Sequence, residues 1–487
     1  MKKNIIIYIL VSVSLLNGSC KKALDVTPPG EFAPGNVLTS DAGIKSVLFS
    51  AYTGMQNQQP SRMIINNSEV TTDIAFNSGG NENLSLAQLI NFTWDASLGT
   101  FQIDVWVPSY NTIRDANVVL DNIANANTSA ANKKLYTAEA RFLRAYSYEF
   151  LYKWFGPVPL RASSTTPSQL ARATDAEMRT FIEAELLAAI PDLPNPGQEA
   201  AFGRVTKGAA WGILAKYYLN TKQWQKAADA CQQVTGLSYY QLFAQYDKMF
   251  QVDNEGNKEM ILVQPCRNET NYGNWYSAGS LPPAFKTSAQ VPAFVWTTTM
   301  ANFATQYRMR TAFTSSFDTT NDKRAILLIR RYVNTSNVTV SLLSTADNVR
   351  SLKYWDNGTI GNNSGNDVPL LRYADMLLSR AEALNELNGP TQEALDLINQ
   401  VRTRAGIANL TLAVATSKDV LRDLILRERA WEFYSEGKRR EDLLRQGKFI
   451  TLALARGVTV AAEKHKLFPI PQAEIDANPL CKQNTDY

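Results

Sequence analysis

Tryptophan and asparagine residues occur together in long irregular segments of the chain, at residues 71–102, 266–299 and 334–367. The flat face of an aromatic ring stacks on the apolar C–H face of a pyranose, while neighbouring amide and carboxylate groups hydrogen-bond its hydroxyls. Irregular segments of this length inside a compact domain are uncommon and often functional. Two stretches, NFTWDAS and NETNYGNWYS, fit this chemistry best. Their candidate ligand-binding residues are Asn91, Trp94, Asp95, Asn274, Trp275 and Tyr276.

The other tryptophans divide into loop and helix residues. Trp296, in the second irregular segment, is a further candidate for ligand contact, whereas Trp355 is expected to pack beside Lys353 and Tyr354. Local packing within its loop is the alternative for every loop tryptophan. Five tryptophans lie in segments with a helical pattern and are predicted to pack between helices. They are Trp106, Trp154, Trp211, Trp224 and Trp431.

Glu428 and Glu432 are four residues apart and would place two carboxylates on one face of a helix. A glycosidase needs two carboxylates that face each other across a cleft, about 5–9.5 Å apart. Arg427 and Arg429 flank the pair here, so salt bridges within the helix are the simpler interpretation. The sequence therefore predicts no catalytic residues, and a glycoside hydrolase stays an alternative.

The composition also restricts metal and nucleophilic chemistry. His465 is the only histidine, which excludes a histidine-rich metal site. The four cysteines, Cys20, Cys231, Cys266 and Cys481, match no zinc spacing. Cys231 fits a small buried apolar residue, and a disulfide between Cys266 and Cys481 stays an alternative. The sequence predicts neither a metal nor a cofactor.

Length and charge indicate a globular protein without nucleic-acid partners. The chain has 487 residues, which suggests one large domain or two to three packed units. Hydrophobic residues make up 45% and charged residues 19%, a composition typical of folded proteins. The net charge of +4 includes Lys2 and Lys3 at the start of the chain, so the remainder is nearly neutral. A nucleic-acid-binding protein would need a larger basic surplus.

Residues 1–19 have the pattern of a secretory signal, with a basic start, an apolar stretch at residues 5–16 and small or polar residues before Cys20. The apolar stretch is too short to span a bilayer. This ending resembles a bacterial lipoprotein signal, in which Cys20 is acylated; an ordinary cleaved signal with an incidental cysteine is the alternative. Residues 20–40 are rich in proline and glycine and predict a flexible tether. No later segment has 18 consecutive apolar residues.

Helical periodicity dominates the rest of the chain. Residues 132–155 carry an apolar stripe that ends at Gly156 and Pro157. Residues 206–220 and 223–234 are predicted to be antiparallel helices, because the turn between them is very short. Residues 368–406 repeat this pattern with a turn at 387–390, and residues 417–447 add a long helical stretch. Helix pairs of this kind resemble tetratricopeptide repeats, and short strands are predicted only at 259–264 and 324–332. The predicted fold class is mainly α.

Motifs along nearly the whole chain resemble the SusD/RagB family of Bacteroidetes outer-membrane lipoproteins. After the mature start CKKALDVTPPG, five motifs occur in the order that this family has. They are VWVPSYNTIRDANVVLDNI (105–123), AEARFLRAYSYEFLYKWFGPVPL (138–160), LLRYADMLLSRAEALNE (370–386), RERAWEFYSEGKRREDLLRQG (427–447) and HKLFPIPQAEIDANPLCKQNTDY (465–487).

The resemblance implies a tetratricopeptide-like superhelix with long irregular loops that capture a nutrient, usually a glycan, without catalysis. It also implies a lipid anchor at the cell outer membrane, facing outwards, and a TonB-dependent transporter of the SusC type as partner. Asp73, in SEVTTDIAF, lies where the family often has an acidic residue, which makes it a further ligand-binding candidate.

The predicted organisation is a signal peptide at 1–19, a lipidated tether at 20–40 and one domain at 41–487. Within that domain we expect an N-terminal part (41–265), a loop-rich part (266–367) and a C-terminal helical part (368–487). Peptide capture, as in the RagB branch, and a helical scaffold without a small ligand are the remaining alternatives.

Overall fold

The computed structural model describes residues 37–56, 65, 67–80, 83–304 and 307–487. The predicted signal peptide, Cys20 and most of the predicted tether lie outside the described residues. Within the described part of the chain, none of the helices is both long enough and apolar enough to cross a membrane.

Helices form the larger part of the fold, which confirms the predicted mainly α class. A π-helical segment, Phe101–Trp106, precedes the helix Val107–Asn122. The α-helices are α1 Asp41–Gln56, α2 Asn83–Asn91, α3 Val107–Asn122, α4 Ala130–Phe155, α5 Asp175–Ala189, α6 Lys207–Asn220, α7 Trp224–Gly236, α8 Tyr276–Ser280, α9 Thr311–Thr314, α10 Tyr373–Asn388, α11 Gln392–Ala405, α12 Lys418–Phe433, α13 Arg439–Arg445, α14 Phe449–Ala455 and α15 Gln472–Ala477.

The long helices pack as sequential neighbours, in the manner of helical repeats. Helix α3 packs on α1 and α4, α4 packs on α5, and α6 packs on α7. Helix α10 then joins α7 to the C-terminal helices α11 and α12. Side-chain caps set several starting points: Ser129 accepts a hydrogen bond from an amide at the start of α4, and Thr174 and Glu177 form a capping box on α5. Gly156, with a φ of +72°, ends α4 where the sequence predicts.

Short strands lie between the helical parts. They are β1 Ala75–Asn77, β2 Met260–Gln264, β3 Phe285–Ser288, β4 Val291–Val295, β5 Tyr307–Met309, β6 Leu328–Ile329, β7 Arg331–Asn334, β8 Thr339–Ser341, β9 Arg350–Ser351 and β10 Val368–Arg372. All the described strand pairs are antiparallel: β1 with β5, β2 with β10, β6 with β9, and a four-stranded sheet in the order β4-β3-β7-β8.

Two predicted helical windows differ from the structure. Residues 368–372 form β10, because Val368–Arg372 pairs with β2 before α10 begins at Tyr373. The predicted helix at 417–447 is interrupted between α12 and α13. The backbone amides of Ser435, Glu436 and Gly437 all donate to the buried carboxylate of Glu69, at 3.1, 3.1 and 2.8 Å, and this turn replaces helical hydrogen bonds.

A buried network of charged residues joins these elements. Glu432 of α12 accepts hydrogen bonds from Arg372 of β10 at 3.0 Å and from Arg324 at 3.3 Å, and Arg404 of α11 also donates to it. Glu428, one turn earlier, pairs with Arg324 at 2.7 Å and with Arg402 at 2.6 Å.

The sequence interpretation of Glu428 and Glu432 as parts of a salt-bridge ladder within one helix is therefore wrong. Both carboxylates are fully buried, and their recorded ion pairs reach arginines of other elements. Both carboxylates thus serve as the common partners of arginines from several elements.

We expect Glu432→Leu to destabilise the protein by about 3–5 kcal/mol, because it leaves several guanidinium groups buried without their common partner. Burial acts to raise the pKa of Glu432, but Arg404, Arg372 and Arg324 hold it well below its usual range. The stability that this carboxylate contributes is therefore present above the pKa of the unfolded state and falls in acid. Chemical denaturation at pH 7 and at pH 4 measures both effects.

The matched control is Glu463→Leu, which removes an exposed carboxylate paired with Lys466. Exposed pairs contribute about 0–1 kcal/mol, so we expect little change. Equal effects of the two substitutions would contradict the role of the buried network.

Candidate functional site

Trp94 is a core residue in the structure, which corrects the prediction that its ring contacts a ligand. Its side chain is 3% exposed, and its indole N–H donates to the Tyr487 hydroxyl at 2.8 Å. The ring packs against Phe92, His465 and Phe468, with centroids 4.8, 4.9 and 5.2 Å away. No face of this ring remains for a sugar.

The polar candidates Asn91 and Asp95 are exposed at the surface near Trp94, and the candidate Asp73 is part of an ion pair. Asp95 is exposed, and its carboxylate accepts hydrogen bonds from the Ser97 amide and hydroxyl at 2.7 and 2.6 Å, which lowers its pKa. Asn91 is exposed at the end of α2. Asp73 binds Arg439 through both carboxylate oxygens at 2.7 and 2.6 Å, which ties β1 to α13. The side chain of Asp73 stays partly exposed, so its contact with a ligand remains a prediction.

Asn274 and Tyr276 point into the protein and hold the loops in place. The Asn274 side-chain amide donates to the Asn366 carbonyl at 3.2 Å and accepts from the Tyr276 amide at 3.0 Å. The Tyr276 hydroxyl lies 2.6 Å from the Ser435 hydroxyl, and its ring stacks on Tyr307 at 5.4 Å. Both residues are buried, so the structure gives them a positioning role and corrects the prediction of direct contact.

Trp275 and Trp296 lie at the surface of the loop-rich part, and their contact with a ligand stays a prediction. Both side chains are half-buried. The Trp275 indole N–H donates to the Asn363 side chain at 3.0 Å, which fixes the orientation of the ring. The Trp296 indole N–H has no acceptor among the described residues. Both rings are thus partly exposed and partly packed against the protein.

A central loop, residues 355–367, connects these two tryptophans. Asn274 and Ser364 exchange backbone hydrogen bonds of 2.9 and 3.1 Å, beside Trp275. Gly361 donates to the Thr299 carbonyl at 2.7 Å and accepts from the Ala301 amide at 2.6 Å, beyond Trp296. Residues 267–276, residues 295–304 and the central loop thus form one continuous surface, which we term the loop face.

Close backbone contact is what makes this surface continuous. A Cβ atom at Gly273 would lie 2.4 Å from the Cα atom of Asn363, so a side chain at Gly273 would separate the two loops. At the other edge, Asn357 donates to the Ala293 carbonyl at 2.9 Å and accepts from the Val295 amide at 3.2 Å. The ring of Phe294 lies 5.7 Å from that of Trp355, which confirms a packing role for Trp355.

Sequence reasoning missed three apolar residues of the loop face. Tyr272 is 54% exposed, Ile360 is 59% exposed and Phe303 is 39% exposed. The Arg267 guanidinium lies 4.9 Å from the centre of the Tyr272 ring. The signal for Tyr272 was its position in the same motif as Trp275, but nothing in the sequence separates Ile360 and Phe303 from ordinary apolar loop residues.

Two carboxylates, buried Asp367 and exposed Glu255, lie at the C-terminal end of the central loop. Asp367 accepts a hydrogen bond from the Cys266 amide at 2.8 Å, and the Asp367 amide donates to Glu255 at 3.2 Å. Burial, followed by the charge of Glu255, raises the pKa of Asp367 to about 8. Burial also raises the pKa of Glu255 to about 7. The Asp367 carboxylate thus ties the end of the central loop to Cys266, and the Glu255 carboxylate binds the backbone of the same residue, Asp367.

A cavity of about 400 Å³ lies elsewhere, among the helices. Its walls include Tyr152, Trp154, Tyr217 and Arg440, and none of the sequence-predicted ligand residues lines it. The described residues hold no group of three or more histidine, cysteine or acidic side chains arranged for a metal. Cys231, Cys266 and Cys481 are free thiols, so the alternative of a disulfide between the last two is not realised.

Two family models match consecutive parts of the chain. The model described as "SusD family" matches residues 258–487, and the model described as "Starch-binding associating with outer membrane" matches residues 23–219. Among curated proteins, the starch-binding protein SusD of Bacteroides thetaiotaomicron is 26% identical and covers 96% of both chains. A SusD-like protein of Formosa agariphila is 24% identical, over 98% of this chain and 97% of its own.

Solved structures have the same fold. A laminarin-binding SusD-like protein superimposes with a TM-score of 0.77 at 23% identity, over 92% of this chain and 100% of its own. A surface glycan-binding protein of Bacteroides thetaiotaomicron in complex with laminarihexaose gives a TM-score of 0.74 at 20% identity, with the same coverage. These likenesses extend over nearly the whole of the described chain.

We expect Trp94→Ala to lower the free energy of unfolding by about 3–5 kcal/mol, the usual effect of truncating a buried aromatic residue. Trp275→Ala, at a half-buried position, should change it by less than half as much. Thermal and urea unfolding of the two variants measure the difference. Similar values for both substitutions would contradict the assignment of Trp94 to the core.

We expect Asp367→Asn to reduce the pH dependence of stability. Because the folded pKa of Asp367 is raised, the folded state keeps a proton that the unfolded state has released, so wild-type stability falls as pH rises from about 4 to 8. Asparagine cannot ionise, and one unit of pKa difference corresponds to about 1.4 kcal/mol. The free energy of unfolding of the variant relative to wild type should therefore rise by at least about 1.4 kcal/mol from pH 5 to pH 8.5.

Urea unfolding at the two pH values measures this gain. Asp476→Asn is the control, because Asp476 is an exposed carboxylate on α15. An unchanged slope of stability against pH in Asp367→Asn would show that Asp367 titrates normally.

Proposed function

We propose, from the premise that this chain belongs to the SusD/RagB family, that it binds an oligosaccharide or polysaccharide at the outer membrane and passes it to a partner transporter. The loop face is the proposed binding surface. The observation that carries the proposal is the continuous loop surface on which half-exposed Trp275 and Trp296 lie at either side of the central loop.

The chemistry of the loop face suits a sugar. Aromatic rings with a free face stack on pyranose C–H groups, and amide and hydroxyl groups nearby bind the sugar hydroxyls. Thr297, Thr298 and Thr299 are exposed beside Trp296, and Asn362 lies at the surface of the central loop. The names of relatives and structural neighbours support the same ligand class, since they include starch, laminarin and laminarihexaose.

Binding without catalysis is part of the proposal. The Glu428 and Glu432 carboxylates are buried in ion pairs, and the carboxylates at the C-terminal end of the central loop bind backbone amides. Neither arrangement offers two carboxylates facing each other across an open cleft, as glycoside hydrolysis requires. Relatives with binding names support the same conclusion.

The proposal also includes the anchor and the partner. Acylated Cys20 would hold the protein in the outer membrane, residues 20–40 would serve as its tether, and residues 41–487 would form the binding domain. Ten extended residues reach roughly 35 Å, so the domain has room to tilt over a transporter of the SusC type. One side of the helical superhelix is the proposed contact with that transporter, and residues 1–19 would be removed as a signal.

We expect Trp275→Ala and Trp296→Ala each to weaken glycan binding about tenfold, equivalent to about 1.4 kcal/mol, since each removes a stacking surface. Native affinity gels containing starch, laminarin, xylan or pectin identify the retained polysaccharide. Isothermal titration calorimetry with that polysaccharide then gives the dissociation constants. Trp224→Ala, at a half-buried tryptophan on α7, is the matched control and should bind like wild type.

Two results would overturn the proposal. The first is retention of peptides but of none of the polysaccharides, which would favour the peptide-binding alternative. The second is release of reducing sugar by the purified protein, which would favour a hydrolase.

A further inference from the structure

Arg350 is an exception among the most deeply buried arginines of the described chain. Four of them, Arg324, Arg350, Arg372 and Arg429, are less than 2% exposed. Three of these four bind at least two carboxylates each, at distances between 2.5 and 3.3 Å. Arg350 has no carboxylate within 4 Å among the described residues.

The partners of Arg350 are neutral. Its Nε donates to the Asn348 carbonyl at 3.1 Å, and its Nη2 donates to the Ala304 carbonyl at 3.1 Å and to the Asn348 side chain at 3.2 Å. Its Nη1 is buried and has no hydrogen-bond acceptor. The Nη1 edge of this guanidinium is therefore without a hydrogen-bond partner.

Arg308 lies beside Arg350 on the neighbouring strand. Met309 of β5 and Val349 are bridged in antiparallel register, with the Met309 amide donating to the Val349 carbonyl at 2.9 Å. This register sets Arg308 opposite Arg350 on the same face, and Phe76 of β1 lies opposite Arg308 on its other side. Arg308 is half-buried, its Nε has no acceptor, and it has no ion pair within the described chain.

This arginine pair, Arg308 and Arg350, is unfavourable without an anion. Like charges directly opposite each other on two strands destabilise the pairing, and an unpaired buried charge destabilises the fold further. Desolvation, followed by the charge of Arg308, lowers the pKa of Arg350 to about 9. Arg310, the residue that follows β5, is different because it pairs with Asp347 at 3.6 Å and donates to the Thr72 carbonyl at 3.1 Å.

The arginine pair adjoins the loop face. Ala304, whose carbonyl accepts from Arg350, follows Phe303, whose amide donates to the Ala278 carbonyl at 2.8 Å in α8. Tyr307, next to Arg308, stacks on Tyr276, which follows Trp275 in sequence. The contact with Ala304 brings the Arg350 guanidinium to the edge of the loop face, and half-buried Arg308 lies opposite Arg350 at that edge.

We propose that Arg308 and Arg350 bind an anionic oxygen group of the ligand, so that the glycan captured on the loop face is acidic. A guanidinium binds a carboxylate or a sulfate through two parallel hydrogen bonds, and both groups occur on acidic glycans, as uronic acids or as sulfate esters. The inference rests on the proposed function, because it assigns the ligand class of the same surface.

The test compares acidic and neutral oligosaccharides by isothermal titration calorimetry in 50 mM NaCl. The probes are oligogalacturonate for the carboxylate, carrageenan oligosaccharides for the sulfate ester, and maltohexaose and laminarihexaose as neutral sugars. We expect at least one acidic probe to bind more tightly than both neutral probes. Arg308→Gln should weaken that binding about ten- to a hundredfold, the effect of losing a hydrogen-bonded charge pair.

Arg331→Gln is the matched control, because Arg331 is exposed on β7. It should bind the acidic probe like wild type. Arg350→Met supplies a second readout that a purely structural arginine would not give. Because it removes a buried charge without a partner, we expect its melting temperature to equal or exceed that of wild type while its affinity for the acidic probe falls.

The outcomes separate this inference from the proposed function. Preference for oligogalacturonate identifies a uronate and preference for carrageenan a sulfate ester, and loss of either in Arg308→Gln supports the inference. Tighter binding of neutral sugars, or equal affinities for Arg308→Gln and Arg331→Gln, overturns the acidic ligand class and leaves glycan capture standing. Binding of polyglutamate but of no glycan overturns both.

Discussion

The fold depends on one buried carboxylate, Glu436, and on the cations that it holds together. Glu436 binds Arg372 at 2.7 and 2.8 Å and Lys353 at 2.7 Å. Lys353 lies two residues before the central loop, and Arg372 is the last residue of β10, the strand that follows the loop. The segments on both sides of the central loop are therefore attached to the Glu436 side chain. The loop face is thereby positioned by the helical core, and its long irregular backbone has fixed ends.

The same turn carries a second attachment. Glu69 receives three backbone amides from residues 435–437, and burial raises its pKa to about 7. The Ser435 hydroxyl in this turn lies 2.6 Å from the hydroxyl of Tyr276. Tyr276 is the residue that follows the loop tryptophan Trp275. Charged groups in the helical part and aromatic groups in the loops are thus joined through one short connection between α12 and α13. Buried charges of this kind are weak evidence for stability, but here they specify where the loops attach.

Sequence reasoning recovered the helix at 132–155 and the antiparallel pair at 206–220 and 223–234, because helical periodicity and turn residues are local signals. It failed for Trp94, whose polar neighbours Asn91 and Asp95 made a core residue resemble a loop residue. The burial of Trp94 depends on Tyr487 and Phe468, which are far away in sequence. The predicted salt bridges of Glu428 and Glu432 within one helix were also wrong, because the arginines that pair with them come from three separate elements. Contacts of high sequence separation leave no local pattern, and they decide which aromatic and acidic residues face solvent.

The partners of the buried arginines also depend on contacts between residues far apart in sequence. Arg372, Arg324 and Arg429 are buried in a chain that supplies a carboxylate for every one of them, so the core compensates its charges where it can. Arg350 and Arg308 have no carboxylate partner among the described residues, and both lie on strands that border the loop face. A residue that only needed to fill this space would be more stable as methionine or leucine, because an apolar side chain avoids desolvation of a charge. An uncompensated pair of charges at the edge of the proposed binding surface is thus the feature of this core that apolar packing does not account for, and it supports the proposed acidic ligand.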